Sequence, residues 1–135
     1  MTHKELEEYL LSFPGAWLDY PFGEGTAVYK VGHKDVPGEA EKMFAIIAED
    51  TKPLRVSLKC DPQLAVLLRE KYETVVPGYH LNKKHWNTVV LESDVKRKAI
   101  VEMIIHSYKC VVGKMPKATR EMLLTKLEDQ MEFLK

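Results

Sequence analysis

The residues best suited to binding chemistry are concentrated in residues 77–88, which read Pro-Gly-Tyr-His-Leu-Asn-Lys-Lys-His-Trp-Asn-Thr. Lysines in such a segment could contact phosphates, asparagines could hydrogen-bond to base edges or backbone, and aromatic rings could stack on bases. The same residue types also order loops, so a purely structural role stays open. The predicted nucleic-acid-binding residues of this segment are Tyr79, His80, Asn82, Lys83, Lys84, His85, Trp86 and Asn87.

A second basic feature precedes this segment in residues 54–60, where apolar and polar residues alternate. Alternation with a period of two residues is typical of a half-buried β-strand, whose successive side chains point to opposite faces. The apolar positions then face the core, and the opposite face carries two cations. We therefore add Arg55 and Lys59 to the predicted nucleic-acid-binding residues.

The charge of the chain is balanced in total but uneven along its length. The 135 residues include 20 basic and 20 acidic side chains, for a net charge of zero. Residues 1–50 carry a net −6, residues 51–120 a net +8 and residues 121–135 a net −2. A basic central region is consistent with an anionic partner, unless the acidic segments neutralise it in the fold.

Motifs for catalysis and metal binding are absent from the sequence. His80 and His85 are five residues apart, and Cys60 and Cys110 form no CxxC or Cys/His pattern. We predict no catalytic residue, no metal site, no cofactor and no enzymatic activity.

The N-terminus lacks an apolar signal core, and no apolar run approaches the roughly 18 residues of a membrane span, so we expect a cytoplasmic protein without a membrane partner.

The periodicities predict an α+β domain in which an antiparallel sheet of about four or more strands packs against helices. A capping box, Thr2-x-x-Glu5, begins the first helix, and Asp61-Pro62 begins the second. Ser93-Asp94 is expected to cap the third helix, and Gly113 to end it in a left-handed conformation. The predicted strands are 27–32, 42–49, 54–60 and 86–92, in the order α-β-β-β-α-β-α-α.

The final helix, about residues 118–134, carries an apolar stripe of Leu123, Leu127, Met131 and Leu134. We divide the chain into one domain, residues 1–118, and a C-terminal amphipathic helix, residues 119–135. An apolar stripe must be buried, and two ways of burying it are open. The helix packs on its own domain, or it pairs with a second copy in a homodimer.

Three sequence stretches together resemble the MmcQ/YjbR family. They are Tyr-Pro-Phe-Gly at 20–23, Ser-Leu-Lys-Cys-Asp-Pro at 57–62 and the whole of 77–88; His-Ser-Tyr at 106–108 also matches. The resemblance implies a small bacterial protein with a frataxin-like α+β fold that binds DNA through two protruding wings. The wings would fall in residues 33–41 and 77–87. The first of these has a negative balance of charge, which favours the basic strand and the second loop.

Three functions follow from these observations. The leading one is a non-enzymatic DNA-binding protein with a regulatory role, which uses the basic strand and the 77–88 loop. The first alternative is a protein-interaction or dimerisation module. The second is a small-molecule binder or enzyme that uses His80, His85 and Trp86.

Overall fold

The fold is built on one six-stranded antiparallel sheet. A computed structural model describes residues 1–32, 42–78 and 81–133. The strands lie in the order β1-β2-β3-β4-β6-β5, and every neighbouring pair is antiparallel. The predicted α+β class is confirmed. The elements are α1 His3–Leu11, β1 Ala16–Asp19, β2 Thr26–Val31, β3 Met43–Ala48, β4 Arg55–Lys59, α2 Pro62–Lys71, β5 Val75–Pro77, β6 Trp86–Val90, α3 Arg97–Val112 and α4 Lys117–Phe133.

The four strands expected from the sequence correspond to β2, β3, β4 and β6, and two more strands flank them. β1 and β5 form the two edges of the sheet and have four and three residues. Segments this short show too few alternations for a period to be detected. β5 also ends in Pro77, a residue that is confined to edge strands because it lacks an N–H.

Local signals place the first two helices as expected. Thr2 accepts a hydrogen bond from the backbone N–H of Glu5, and the Glu5 side chain accepts one from the Thr2 N–H, which completes the capping box. At α2 the carboxylate of Asp61 accepts from the N–H groups of Gln63 and Leu64. Both caps satisfy amides that the first turn of a helix leaves without partners.

The expected cap of α3 is wrong. The helix begins at Arg97, and its N-cap residue, Lys96, makes no side-chain capping bond. Asp94 instead accepts hydrogen bonds from the N–H of Glu73 and the hydroxyl of Thr74, so tertiary contacts take the carboxylate that a local cap would need. Gly113 ends the helix with φ −59°, in the right-handed region, so the predicted left-handed conformation is also wrong.

The two faces of the sheet have different surroundings. On the inner face, alternate residues of the strands join residues of all four helices in the main core. On the outer face a smaller apolar cluster forms from Val28, Ile46 and Trp86, with Met43 and Leu81 packed against it, and no residue of α1–α4 belongs to it. On the outer face, therefore, the surface available for binding is formed by side chains of strands and loops.

Helix α3 is held on the inner face by two adjacent side chains, Ser107 and Tyr108. The buried hydroxyl of Ser107 donates a hydrogen bond to the Phe44 carbonyl in β3 and accepts one, at 2.8 Å, from the Lys59 N–H in β4. The Tyr108 hydroxyl donates to the Pro14 carbonyl at 2.6 Å. The Tyr108 ring packs between aromatic neighbours at centroid distances of 4.9 and 5.5 Å, namely Phe13 and Phe44.

Helix α4 buries part of its apolar stripe against its own chain. Leu123 and Leu127 are each 4% exposed and belong to the main core, whereas Met122 and Met131 are 50% and 37% exposed. The predicted residue Leu134 lies outside the described residues. A homodimer through this helix stays a prediction.

No helix within 1–32, 42–78 and 81–133 has the length and apolar character that crossing a bilayer requires.

We expect Ser107→Ala to lower the free energy of unfolding by about 2–3 kcal/mol, because it leaves a buried carbonyl and a half-buried N–H without their partner. Chemical denaturation monitored by circular dichroism measures this loss. Ser12→Ala is the matched control, since Ser12 is exposed and its hydroxyl donates only to the Tyr9 carbonyl. A loss from Ser107→Ala no larger than that of the control would contradict the role given to this hydroxyl.

Candidate nucleic-acid interface

The loop between β5 and β6 is closed by backbone bonds at its base and by an asparagine at its tip. The Gly78 N–H donates to the Trp86 carbonyl at 2.9 Å, and the Trp86 N–H donates to the Asn82 carbonyl at 3.0 Å. The Asn82 side-chain oxygen accepts from the Lys84 N–H at 2.9 Å. Asn82 therefore orders the turn that presents Lys83 and Lys84, which are both exposed.

Arg69 of α2 supports this loop from the inner side of the sheet. Its guanidinium donates to the Asn87 side-chain oxygen at 2.6 Å, to the Lys83 carbonyl and to the Trp86 carbonyl at 3.3 Å. The Asn87 amide in turn donates to the Ala65 carbonyl at 3.3 Å. An Arg that binds two carbonyls and an amide oxygen at once fixes the loop relative to α2.

Two of the predicted contact residues are buried. Asn87 is 3% exposed and pairs with Leu58 on the inner face, so its amide is used within the fold and we leave it out of the interface. Trp86 is 5% exposed and packs on Val28 and Ile46, which leaves little of its ring for stacking on a base. Tyr79 and His80 lie outside the described residues.

Of the remaining predicted cations, Arg55 and Lys59 lie on the outer face of β4, and Lys83 and Lys84 lie in the turn next to the end of that strand. Lys59 pairs with Trp86 across β4 and β6, and its ammonium lies 5.6 Å from the centroid of the indole ring. The Cys60 N–H donates to the His85 carbonyl at 2.8 Å, which joins the end of β4 to the turn that carries Lys84. Arg55 lies on the same face as Lys59, about 13 Å along the strand at roughly 3.3 Å per residue.

Within the part of the chain that the structure describes, acids of the N-terminal region form no ion pair with Arg55, Lys83 or Lys84. Within 1–32, 42–78 and 81–133, the ion pairs join His3 to Glu49, Lys30 to Asp19, Arg97 to Glu5 and Lys117 to Glu121. Arg55, Lys83 and Lys84 take part in none of them. The ammonium of Lys83 donates to the Gly78 carbonyl at 3.1 Å, a bond that leaves its charge uncompensated.

Groups with potential for nucleophilic chemistry occur on the inner side of the sheet. The Cys110 sulfur lies 3.4 Å from His106 Nε2, but that nitrogen already accepts the Asp61 N–H at 3.1 Å. Burial raises the pKa of Cys60 to about 11 and also raises the pKa of Cys110. Thiols that stay protonated at neutral pH are weak nucleophiles, so these residues do not form an activated pair.

Metal chemistry has no support among the described residues. In residues 1–32, 42–78 and 81–133, no group of three or more His, Cys, Asp or Glu side chains is placed to hold a metal ion.

Comparison with known proteins places the chain in a family. The family model described as YjbR matches residues 11–110. The Escherichia coli K12 protein YjbR is 35% identical over 124 residues, which cover 92% of this chain and 98% of that protein. The chain belongs to the YjbR family. The E. coli O157:H7 protein YbdF is 30% identical over 115 residues, covering 85% of this chain and 88% of YbdF.

Solved structures share the fold of this YjbR-family chain. The Deinococcus radiodurans protein DR2400 matches with a TM-score of 0.82 and 36% identity, over 90% of this chain and 87% of DR2400. A Pseudomonas syringae protein matches with a TM-score of 0.67 and 28% identity, over 82% of this chain and 99% of that one. The family resemblance found in the sequence is thereby confirmed.

Two residues that hold the candidate interface in place, Arg69 and Gly78, carry no recognisable signal in the sequence. Arg69 is an isolated Arg on an amphipathic helix, and nothing local shows that it reaches a loop 14 residues away. Gly78 follows a proline and reads as a turn glycine, but its role is steric. A Cβ at this position would lie 2.7 Å from the Trp86 Cβ, closer than folded proteins allow.

We expect Gly78→Ala to destabilise this YjbR-family protein by about 1–3 kcal/mol, the usual cost of inserting a methyl group into a packed site. Thermal unfolding measures the change. Gly23→Ala is the control for steric contact, because a Cβ at Gly23 meets nothing within 4 Å and only its positive φ, 94°, opposes the substitution. An unfolding temperature that Gly78→Ala leaves unchanged would show that the approach of Trp86 to Gly78 is unimportant.

Proposed function

We propose that this protein binds duplex DNA without catalysing a reaction, through a basic surface formed by Arg55, Lys59, Lys83 and Lys84. The observation that carries the proposal is the position of these cations. Two come from one strand of the outer face and two from the turn hydrogen-bonded to the end of that strand. Arg55, Lys83 and Lys84 have no acidic partner within 1–32, 42–78 and 81–133.

The chemistry of this surface favours phosphates over bases. Lys and Arg contacts to phosphates supply affinity that is independent of sequence, whereas specificity requires side chains that reach base edges. Asn87 is committed to Arg69 and Ala65, and the Trp86 ring is buried. We therefore propose weak, salt-sensitive binding with little preference for sequence, in which His85 and the Asn82 amide supply secondary contacts. Because such binding does not select a DNA sequence, the proposed regulatory role would depend on another factor that recruits the protein to a DNA site.

We expect the double variant Lys83→Ala/Lys84→Ala to bind a fluorescein-labelled 20-base-pair duplex roughly tenfold more weakly at low salt. The slope of log K against log salt should become shallower by about two, because each lysine releases about one counterion. Fluorescence anisotropy between about 25 and 200 mM salt measures both quantities. Lys126→Ala, an exposed cation on α4, is the matched control and should leave the slope unchanged.

Two results would overturn the proposal. One is the absence of an anisotropy change with the unaltered protein at the lowest salt concentration. The other is a double variant with the same affinity and slope as the Lys126→Ala control. Lys83 also donates to the Gly78 carbonyl, so its removal changes the order of the loop as well as the charge. The single variant Lys84→Ala removes charge alone. It should change the slope by about half as much as the double variant does and leave the unfolding temperature unchanged.

A further inference from the structure

A groove on the outer face of the sheet, separate from the lysines of the turn, has the form of a small-molecule site. It encloses about 530 Å³, within the range of roughly 300–1,000 Å³ that is usual for ligand pockets. Its floor is made by two neighbouring rows of the sheet register. One row contains Ile46, Ser57 and Thr88, and the other contains Ala48 and Arg55.

Apolar side chains line the groove from two loops. Phe22 belongs to the β1–β2 connection and Leu81 to the β5–β6 connection, which leave the sheet at opposite ends. Phe22 is 64% exposed, an unusual state for a large aromatic side chain that lines a concave surface. Leu81 packs on the outer cluster beside Ile46. A ligand with a flat apolar body would cover the exposed face of Phe22.

Polar groups in the groove indicate which polar and charged groups a ligand would carry. On the floor, the hydroxyls of Ser57 and Thr88 lie 2.8 Å apart, and the Ser57 hydroxyl keeps capacity for a further bond. Arg55, at the end of the floor, is exposed, and among the described residues its guanidinium has no hydrogen bond or ion pair. A planar guanidinium in this position suits a carboxylate, sulfonate or phosphate group.

One acid limits the charge that the groove can accept. Asp50 lines the same end as Arg55, and its carboxylate lies against Gly25, where an added Cβ would be 3.5 Å away. Arg55 can hold one anionic group, and the Asp50 carboxylate in the same groove opposes a second negative charge. The groove therefore favours a ligand with one negative charge.

We propose that this groove binds a small organic monoanion, with an apolar or aromatic body against Phe22 and Leu81 and its anionic group on Arg55. The inference goes beyond DNA binding, although Arg55 belongs both to the proposed DNA-binding surface and to the groove. Phe22 and Leu81 take no part in the proposed phosphate contacts, and Lys83 and Lys84 do not line the groove. His85 and Trp86, which the sequence suggested for a small-molecule site, do not line it either.

The test uses two probes that differ in charge: 8-anilinonaphthalene-1-sulfonate, a monoanion, and N-phenyl-1-naphthylamine, its uncharged analogue. Fluorescence titration of the full chain should give saturable binding of the sulfonate with one site per chain. Arg55→Gln should weaken binding of the sulfonate about tenfold and leave the amine unaffected, since only the sulfonate meets the guanidinium. Asp50→Asn should tighten sulfonate binding a few-fold.

Matched controls separate the groove from other surface features. Phe22→Ala should weaken both probes about tenfold, whereas Leu67→Ala, at a side chain that is 59% exposed on α2, should weaken neither. Lys52→Gln, a neighbouring exposed cation outside the groove, should leave sulfonate binding unchanged. The proposal is overturned if the sulfonate does not bind saturably, or if Arg55→Gln has no more effect than Lys52→Gln. Equal affinity for both probes in the unaltered protein would also overturn it.

Discussion

The hydroxyl of Ser107 connects α3 to two adjacent strands through one hydrogen bond given to β3 and one received from β4. Because both partners are backbone groups, these bonds fix the height of the helix along the strands as well as its distance from the sheet. His106 extends the connection by accepting the Asp61 N–H at the start of α2. The position of α2, and with it the position of Arg69, therefore depends on how α3 is seated.

The position of Arg69 in turn determines the position of residues on the outer side of the sheet. Its guanidinium holds the carbonyls of Lys83 and Trp86, so the turn that carries the lysines is positioned from the inner side. Trp86 then fills the outer cluster, and its Cβ lies in the space that Gly78 leaves open. The basic surface is a consequence of inner-face packing, even though none of its cations belongs to the core.

The sequence was most informative where a pattern is local and repeated. The alternation in β4 predicts which face carries Arg55 and Lys59, and the Thr2–Glu5 box predicts the start of α1. The face on which Asn87 lies could not be predicted, because β6 is buried on both faces and its residues show no polar alternation. The role of Asp94 was missed for a related reason: its partners are about 20 residues away, and distant contacts leave no local pattern.

Both edges of the sheet are poor templates for another strand. An exposed edge presents unpaired N–H and C=O groups to which a foreign strand can add, and long flat edges promote aggregation. β1 offers only four residues, and β5 offers three, of which Pro77 has no N–H. The ladder bond beside it runs from Gly78 to Trp86, so the proline nitrogen faces the free edge. The sheet can thus expose an apolar groove on one face while its ends resist fibre growth by strand addition.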